Sequence, residues 1–361
     1  MLTTGVQIKN AIEIGENMKL VDTKDAVGHV LCHDITQIIP GKSKGPVFRK
    51  GHIVKPEDID VLLSVGKEHL YVWENNENML HENEAAFVLK DICVGDATEF
   101  ECGEPKEGKI EIMAAMDGLL KVDTELLNEI NGLGEMMIAT VHGNFPVKKG
   151  DKLAGTRIIP LVIEKSKMDK AKDIVNDRKI LSILPFKTVK YAIVTTGSEV
   201  FKGIIKDAFG PVLKNKMEEY GAVCIGQKIV DDSKDAIVNA INDYINKGVD
   251  IVLCTGGMSV DPDDQTPGAI KATGARIVSY GAPTLPGAMF LLSYYEQGER
   301  QIPVIGLPGC VMYARRTIFD LVLPRLIAGE QLNAKDLLCY GEGGMCLNCE
   351  KCHFPNCGFG K

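Results

Sequence analysis

From residue 188 to about 330, short unbroken apolar runs alternate with segments whose apolar positions recur every three or four residues. The runs VKYAIVTT, AVCIGQKIV, DIVLC, GARIVSYG and IPVIGLPG read as strands. Between them, Val212, Leu213 and Met217 share one helical face, and Ser233 caps a second helix carrying Ile237, Ile241 and Ile245. VMYARRTIFDLVLPRLI reads as one long apolar helix, kinked by Pro324. Strands buried on both faces and separated by helices predict an α/β fold: a three-layer α/β/α domain with a mostly parallel sheet.

The rest of the chain follows a different pattern. Residues 1–75 open on a short helical segment, and alternation over residues 27–35 predicts a strand. Pro56 starts a helix with Ile59, Leu62 and Leu63 on one face; Gly66 ends it, and Leu70, Tyr71 and Val72 make a strand. HENEAAFVLKDICVG reads as a helix, Thr124 caps another through Ile130, and short strands with glycine and proline bends fill most of residues 76–180. KSKMDKAKDIVNDRK is a polar connecting helix. These divisions predict a mixed α+β segment (1–75), a β-rich middle domain (76–180), the α/β domain (181–332) and a cysteine-rich tail (333–361).

Within the α/β region, residues 250–268 (DIVLCTGGMSVDPDDQTPG) concentrate the chemistry. An apolar strand runs into Thr255-Gly256-Gly257, then Ser259, then Asp261, Asp263 and Asp264, and closes on Thr266-Pro267, a helix start. Adjacent glycines at the carboxyl end of a strand let a ligand approach the main chain and present N–H groups to an anion. Open α/β sheets bind ligands at that edge. Asp261 and Asp263 read as solvated turn carboxylates.

Composition narrows the choices. A net charge of -8 over 361 residues argues against a broad nucleic-acid surface. No apolar run approaches the roughly 20 residues a membrane span needs, and the first residues lack a signal-peptide pattern, so a cytoplasmic protein is expected. His29, His33, His52 and His69 have no metal-ligand spacing. Of eleven cysteines, six are scattered among apolar neighbours and read as small core residues. Four of the others form Cys346-x2-Cys349-x2-Cys352-x4-Cys357. Four thiolates so closely spaced predict a metal site, either a 4Fe–4S iron–sulfur cluster or Zn2+, needed to order so short a tail.

Residues from about 188 to 330 resemble the molybdopterin-binding domain of the molybdenum-cofactor biosynthesis proteins, namely the molybdopterin adenylyltransferases, the molybdotransferases and their CinA-like relatives. The resemblance lies in TTGSEV, in GIIKDAFGPVL, in the TGG turn with its downstream aspartate, and in the paired turns LPGAM and GLPGCVMYA. It implies that Asp207 and Asp264 are the catalytic pair, positioning Mg2+ or steering phosphate chemistry. It also implies that Thr196, Gly197, Ser198, Glu199, Thr255, Gly256, Gly257, Ser259, Pro286, Gly287, Pro308 and Gly309 hold adenylated molybdopterin. Phe209 stands where the family has asparagine, and Cys310-Val311 where the molybdotransferases have Asn-Pro. DAVGHVLCHDIT resembles the molybdotransferase opening, whereas Ala115-Met116-Asp117-Gly118 matches that family's later motif far out of place.

The function expected is insertion of molybdate into the dithiolene, with a molybdoenzyme recipient and a homo-oligomer, as a dimer. The rival is a non-catalytic cofactor carrier or sensor with a metal tail. A CinA-like pyrophosphate hydrolase is the third reading.

Overall fold

The computed structural model describes residues 18–39, 43–73, 78–259, 261 and 264–361. The first 17 residues, where a short helix is expected, and Asp263 lie outside them. The chain divides into two compact units. One is built from residues up to 113, 123–141 and 152–181; the other from 114–122, 142–151 and 182–361.

In the first unit, Met18–Asp22 pairs antiparallel with His69–Trp73, and Ile35–Ile39 with Ser43–Phe48. Val21, Leu31, Ile35, Leu62, Leu70 and Val72 form the buried centre there. The strand expected over residues 27–35 is reduced to single bridges at Val30 and Leu31, because Gly28 turns the chain at φ 87° and its N–H reaches Val54. The Pro56 helix is present as Asp58–Ser64. Further on, strands Phe100–Cys102, Lys109–Ala114, Lys152–Ile158 and Met136–Thr140 lie side by side in that order. The three expected helices are Glu82–Val94, Thr124–Asn131 and Lys165–Val175. Asp123, not Thr124, caps the second: its carboxylate accepts the N–H of Leu126.

The second unit contains the α/β domain. Its elements are β1 (Lys190–Thr196), α1 (Phe209–Glu218), β2 (Val223–Val230), α2 (Lys234–Asn246), β3 (Ile251–Thr255), α3 (Thr266–Ala272), β4 (Arg276–Tyr280), β5 (Leu291–Gln297), β6 (Arg300–Leu307) and α4 (Ile318–Ile327). The sheet order is β2-β1-β3-β6-β5-β4, parallel through the first four strands and antiparallel at β5 and β4.

Successive strand residues face opposite ways, and the two cores divide accordingly. Tyr191, Ile193, Ile251, Leu253 and Ile305 pack with Leu213 and Met217 of α1 and with Phe319 and Val322 of α4. Ala192, Val194, Val252, Cys254 and Val304 pack with Ile237, Ile241 and Ile245 of α2 and with Ile270 of α3. Helices thus cover both faces of the sheet, giving the expected three layers. No helix among the described residues is long and apolar enough to cross a membrane.

The long helix expected over VMYARRTIFDLVLPRLI is shorter. A 3-10 turn (Gly309–Met312) precedes it, and α4 starts after Thr317. Thr317 Oγ1 accepts the N–H of Phe319 while Asp320 accepts the N–H of Thr317, a capping box. Asp320 is 3% exposed, and its other oxygen takes Lys216 Nζ at 2.6 Å and Arg316 at 2.8 Å. Removing this carboxylate leaves Lys216, itself buried, without its counter-ion. Asp320→Ala is expected to cost about 3–5 kcal/mol in denaturant unfolding, the range for breaking a buried ion pair.

After α4, Arg325 holds both Glu330 (2.7 Å) and Asp336 (2.8 Å), and Lys121 joins Glu330 at 2.5 Å. Burial works against the Glu330 carboxylate, but hydrogen bonds from Arg325 and Lys121 outweigh it and hold its pKa below the ordinary value of 4.5. A depressed carboxylate stabilises the fold above its unfolded pKa and loses that contribution as pH falls through the folded one. The stability gap between the natural chain and Glu330→Gln, from urea unfolding across pH, should be full at neutrality and close in the acid range below 4.5.

Candidate functional site

The carboxyl ends of β1, β3 and β6 lie along one edge of the sheet, because these strands are parallel. The chain leaves β3 through Gly256 and Gly257, both at positive φ (84° and 54°). A Cβ on Gly256 would fall 2.2 Å from the carbonyl oxygen of Thr196, so only glycine lets the β3 exit lie against the end of β1. Thr266, fully buried at the start of α3, locks this turn. Its hydroxyl donates to the carbonyl of Gly256 at 2.8 Å, which leaves Thr196 as the donor across the 3.3 Å contact between the two threonines. The Thr266 N–H closes the loop on the Gly257 carbonyl.

Beside this turn is a cavity of about 620 Å³. Gly256, Gly257, Ser259 and Asp264 line it together with Pro286, Gly287, Pro308 and Gly309 from the paired turns. Phe209, Met258, Met289 and Met312 make the lining largely apolar. Among the described residues, Asp264 is the only lining side chain that is a carboxylate or a base. Gly287 is set by packing: a Cβ there would lie 2.5 Å from Ile318 Cγ2 at the start of α4.

Cys310 also lines the cavity, whereas Thr196, Gly197, Ser198, Glu199, Asp207 and Thr255 lie outside that lining. Asp207 serves the main chain: Oδ1 accepts the N–H of Phe209 (2.9 Å), and Oδ2 accepts that of Gly210 (3.0 Å) and Gln227 Nε2 (2.6 Å). It thus caps α1, and α1's first residue, Phe209, is what reaches the cavity. The Ser198 N–H is taken by Asp232 at 2.8 Å, and Glu199 is exposed. Thr255 is fully buried, and its Oγ1 has no hydrogen-bond partner. Asp261 is exposed, and its N–H and carbonyl bond Asp264. Asp117 accepts the N–H of Lys149, a residue distant in the chain, at 2.8 Å.

Three further residues belong to this edge. Gln227 joins Asp207 to the Thr195 hydroxyl (3.0 Å). Asp232 is half of an acidic pair just before the Ser233 cap, a signal present in the sequence. Tyr280 on β4 donates to the carbonyl of Met258 at 2.9 Å, and burial together with the Asp264 charge raises its pKa. Burial also raises the Cys310 thiol.

In the tail, Cys346, Cys349, Cys352 and Cys357 are free thiols, and no group of three or more His, Cys, Asp or Glu among the described residues converges to hold a metal ion. Nor does the tail hang loose, as its shortness suggests. Phe354 and Phe359 pack against the core on the α1–α4 face, and main-chain bonds join Gly344 and Cys346 to Leu285 and Gly360 to Gly343.

Comparison with known proteins matches residues 192–328 to a family model described as "Probable molybdopterin binding domain", and residues 20–74 to a domain of unknown function. A molybdopterin adenylyltransferase of Pyrococcus furiosus is 27% identical over 138 residues, 38% of this chain and 78% of that protein. A CinA-like protein of Pseudothermotoga lettingae is 35% identical over 79 residues, 22% of this chain and 19% of its own length. The solved tungsten cofactor synthesizing protein MoaB of Pyrococcus furiosus aligns over 35% of this chain and 84% of its own, at 25% identity and a TM-score of 0.31. Residues 192–328 of this chain thus match the molybdopterin-binding family model, and the relatives they resemble are a molybdopterin adenylyltransferase and CinA-like proteins.

Proposed function

We propose that the cavity at the β1–β3–β6 edge seats adenylated molybdopterin and that the chain acts there as a molybdotransferase, placing molybdate on the dithiolene. One observation carries this reading: the Gly256-Gly257 turn, both proline–glycine turns and Asp264 line a single cavity. Its apolar walls suit a flat pterin, and a turn without Cβ atoms lets main-chain N–H groups approach phosphate. In the transfer, two dithiolene sulfurs bond to molybdenum while their two protons leave with one oxo ligand as water.

Asp264, the one carboxylate lining the cavity among the described residues, suits Mg2+, which takes one or two carboxylates together with substrate phosphates. Such an ion supplies neutralisation of phosphate charge. Asp264 would hold it, and Tyr280, anchored on the Met258 carbonyl, would keep the Asp264 loop in register. Phe209 and Met258 would exclude water. Asp207 would act at one remove, as the cap that aims α1 and Phe209 at the pocket.

The engagement of both Asp207 oxygens favours a second reading, a carrier that binds the cofactor without turnover. Incubating the purified chain with adenylated molybdopterin, molybdate and Mg2+ separates the two: molybdenum bound to the dithiolene supports the transferase, and retention of unchanged pterin supports the carrier. Asp264→Ala should lower turnover at least about 100-fold, the scale of losing one preorganised charge contact, while unfolding midpoints stay put. An unimpaired Asp264→Ala variant would refute the role given to this carboxylate. Asp207→Ala should show the reverse balance: a stability loss of about 1–2 kcal/mol, as for other helix caps, with turnover largely kept in the folded fraction.

A further inference from the structure

The four clustered tail cysteines play no part in the pterin reading. They are nevertheless brought together: Cys346, Cys349, Cys352 and Cys357 all line one cavity of about 420 Å³, distinct in its lining from the pterin cavity except at Pro286 and Tyr313. The segment that carries them is held on three sides. Leu285 accepts the N–H of Cys346 and donates to the Gly344 carbonyl; Phe354 and Phe359 are packed against the core; and Arg315 donates to the carbonyls of Cys349 (3.3 Å) and Glu350 (2.5 Å). Four thiols on one short segment, docked around one chamber and free of disulfides, make a thiolate ligand set.

The spacing of the thiols distinguishes between occupants. A single zinc ion touches all four sulfurs at about 2.3 Å, so the sulfurs must crowd against one another and no chamber remains between them. A four-iron, four-sulfide cube keeps its terminal thiolates farther apart, one at each iron, with the cube filling the space between. Here the four cysteines line one cavity of about 420 Å³, and the run Cys346-x2-Cys349-x2-Cys352 is the one that four-iron ferredoxin sites use. We infer that the tail binds a 4Fe–4S cluster through Cys346, Cys349, Cys352 and Cys357.

The charges balance. Two ferrous ions, two ferric ions and four sulfides carry +2 together. Each cysteine gives up its proton on ligation, so the assembled site carries −2 and four protons are released. Arg315 and Arg316 are among the residues lining that cavity. Arg316 is shared with Asp320 and Glu219, whereas Arg315 is directed at the Cys349–Glu350 main chain. The assignment is independent of the pterin: it concerns a separate cavity and is read by metal content alone.

The test is anaerobic purification of the full chain, or its reconstitution with equal Fe(II) and Fe(III) plus sulfide, followed by iron, zinc and acid-labile sulfide analysis and visible absorption. About four irons and four sulfides per chain are expected, with the broad visible absorption of a cluster. One zinc per chain without iron would overturn the cluster in favour of a single ion, and a chain that stays free of metal after reconstitution would overturn the site. Cys349→Ser and Cys352→Ser replace exposed residues, so the fold should hold while iron and sulfide are lost. Cys339→Ser, also exposed but outside the lining, should keep both. Full iron in the first two variants, or loss in the third, would refute the assignment.

Discussion

The functional edge of the α/β domain depends on a single close approach. The main chain leaving β3 lies so near the end of β1 that a Cβ on Gly256 would sit 2.2 Å from the Thr196 carbonyl oxygen. This contact brings two parallel strand ends together, and the Thr266 hydroxyl holds the turn by donating to Gly256. Because Thr266 also begins α3, the helix start and the cavity wall are one construction. A side chain at position 256 would push the turn off β1 and displace Ser259 and Asp264, which follow it along the wall.

The sheet was legible in the sequence for a physical reason. Tyr191, Ala192, Ile193 and Val194 divide between two cores, so a central parallel strand must be apolar at every position and reads as an unbroken run. Strand β5 escaped notice because it lies toward the antiparallel end of the sheet and finishes on exposed Glu296 and Gln297. Its signal was a hairpin: Gln297 pairs with Arg300 across Gly298-Glu299, with Gly298 at φ 63°. The true start of α4 was also written in the chain, as Thr317 three residues before Asp320, but apolar Val311 and Met312 invited an earlier start.

The site was only partly legible. Gly256, Gly257, Ser259, Asp264 and both proline–glycine turns line one cavity, as residues at one sheet edge should. Asp207 could not be resolved by motif alone. Its three hydrogen-bond donors include Gln227, which lies on a neighbouring strand and carries no motif. A carboxylate beside a helix start can serve a metal or the helix, and only the positions of Phe209, Gly210 and Gln227 show which contacts it makes here. In the same way, the cysteine spacing led to the expectation of a ligand set but did not tell how the tail docks, which rests on Phe354, Phe359 and the Leu285 main chain.

The docking of the tail bears on the cavity beside the Gly256-Gly257 turn. Leu285, Pro286 and Gly287 form part of that cavity's wall. Gly287 is pressed against Ile318 of α4 from inside the domain, and Leu285 exchanges main-chain hydrogen bonds with Gly344 and Cys346 of the tail. A proline–glycine turn has few donors of its own, since proline has no N–H and glycine has no side chain. Its position is therefore imposed from both sides: by the packing that forbids a Cβ at Gly287, and by the tail segment Gly344–Cys346 that occupies the Leu285 N–H and carbonyl. Whatever orders the tail thus also fixes one wall of the cavity, through two hydrogen bonds of 2.8 Å each.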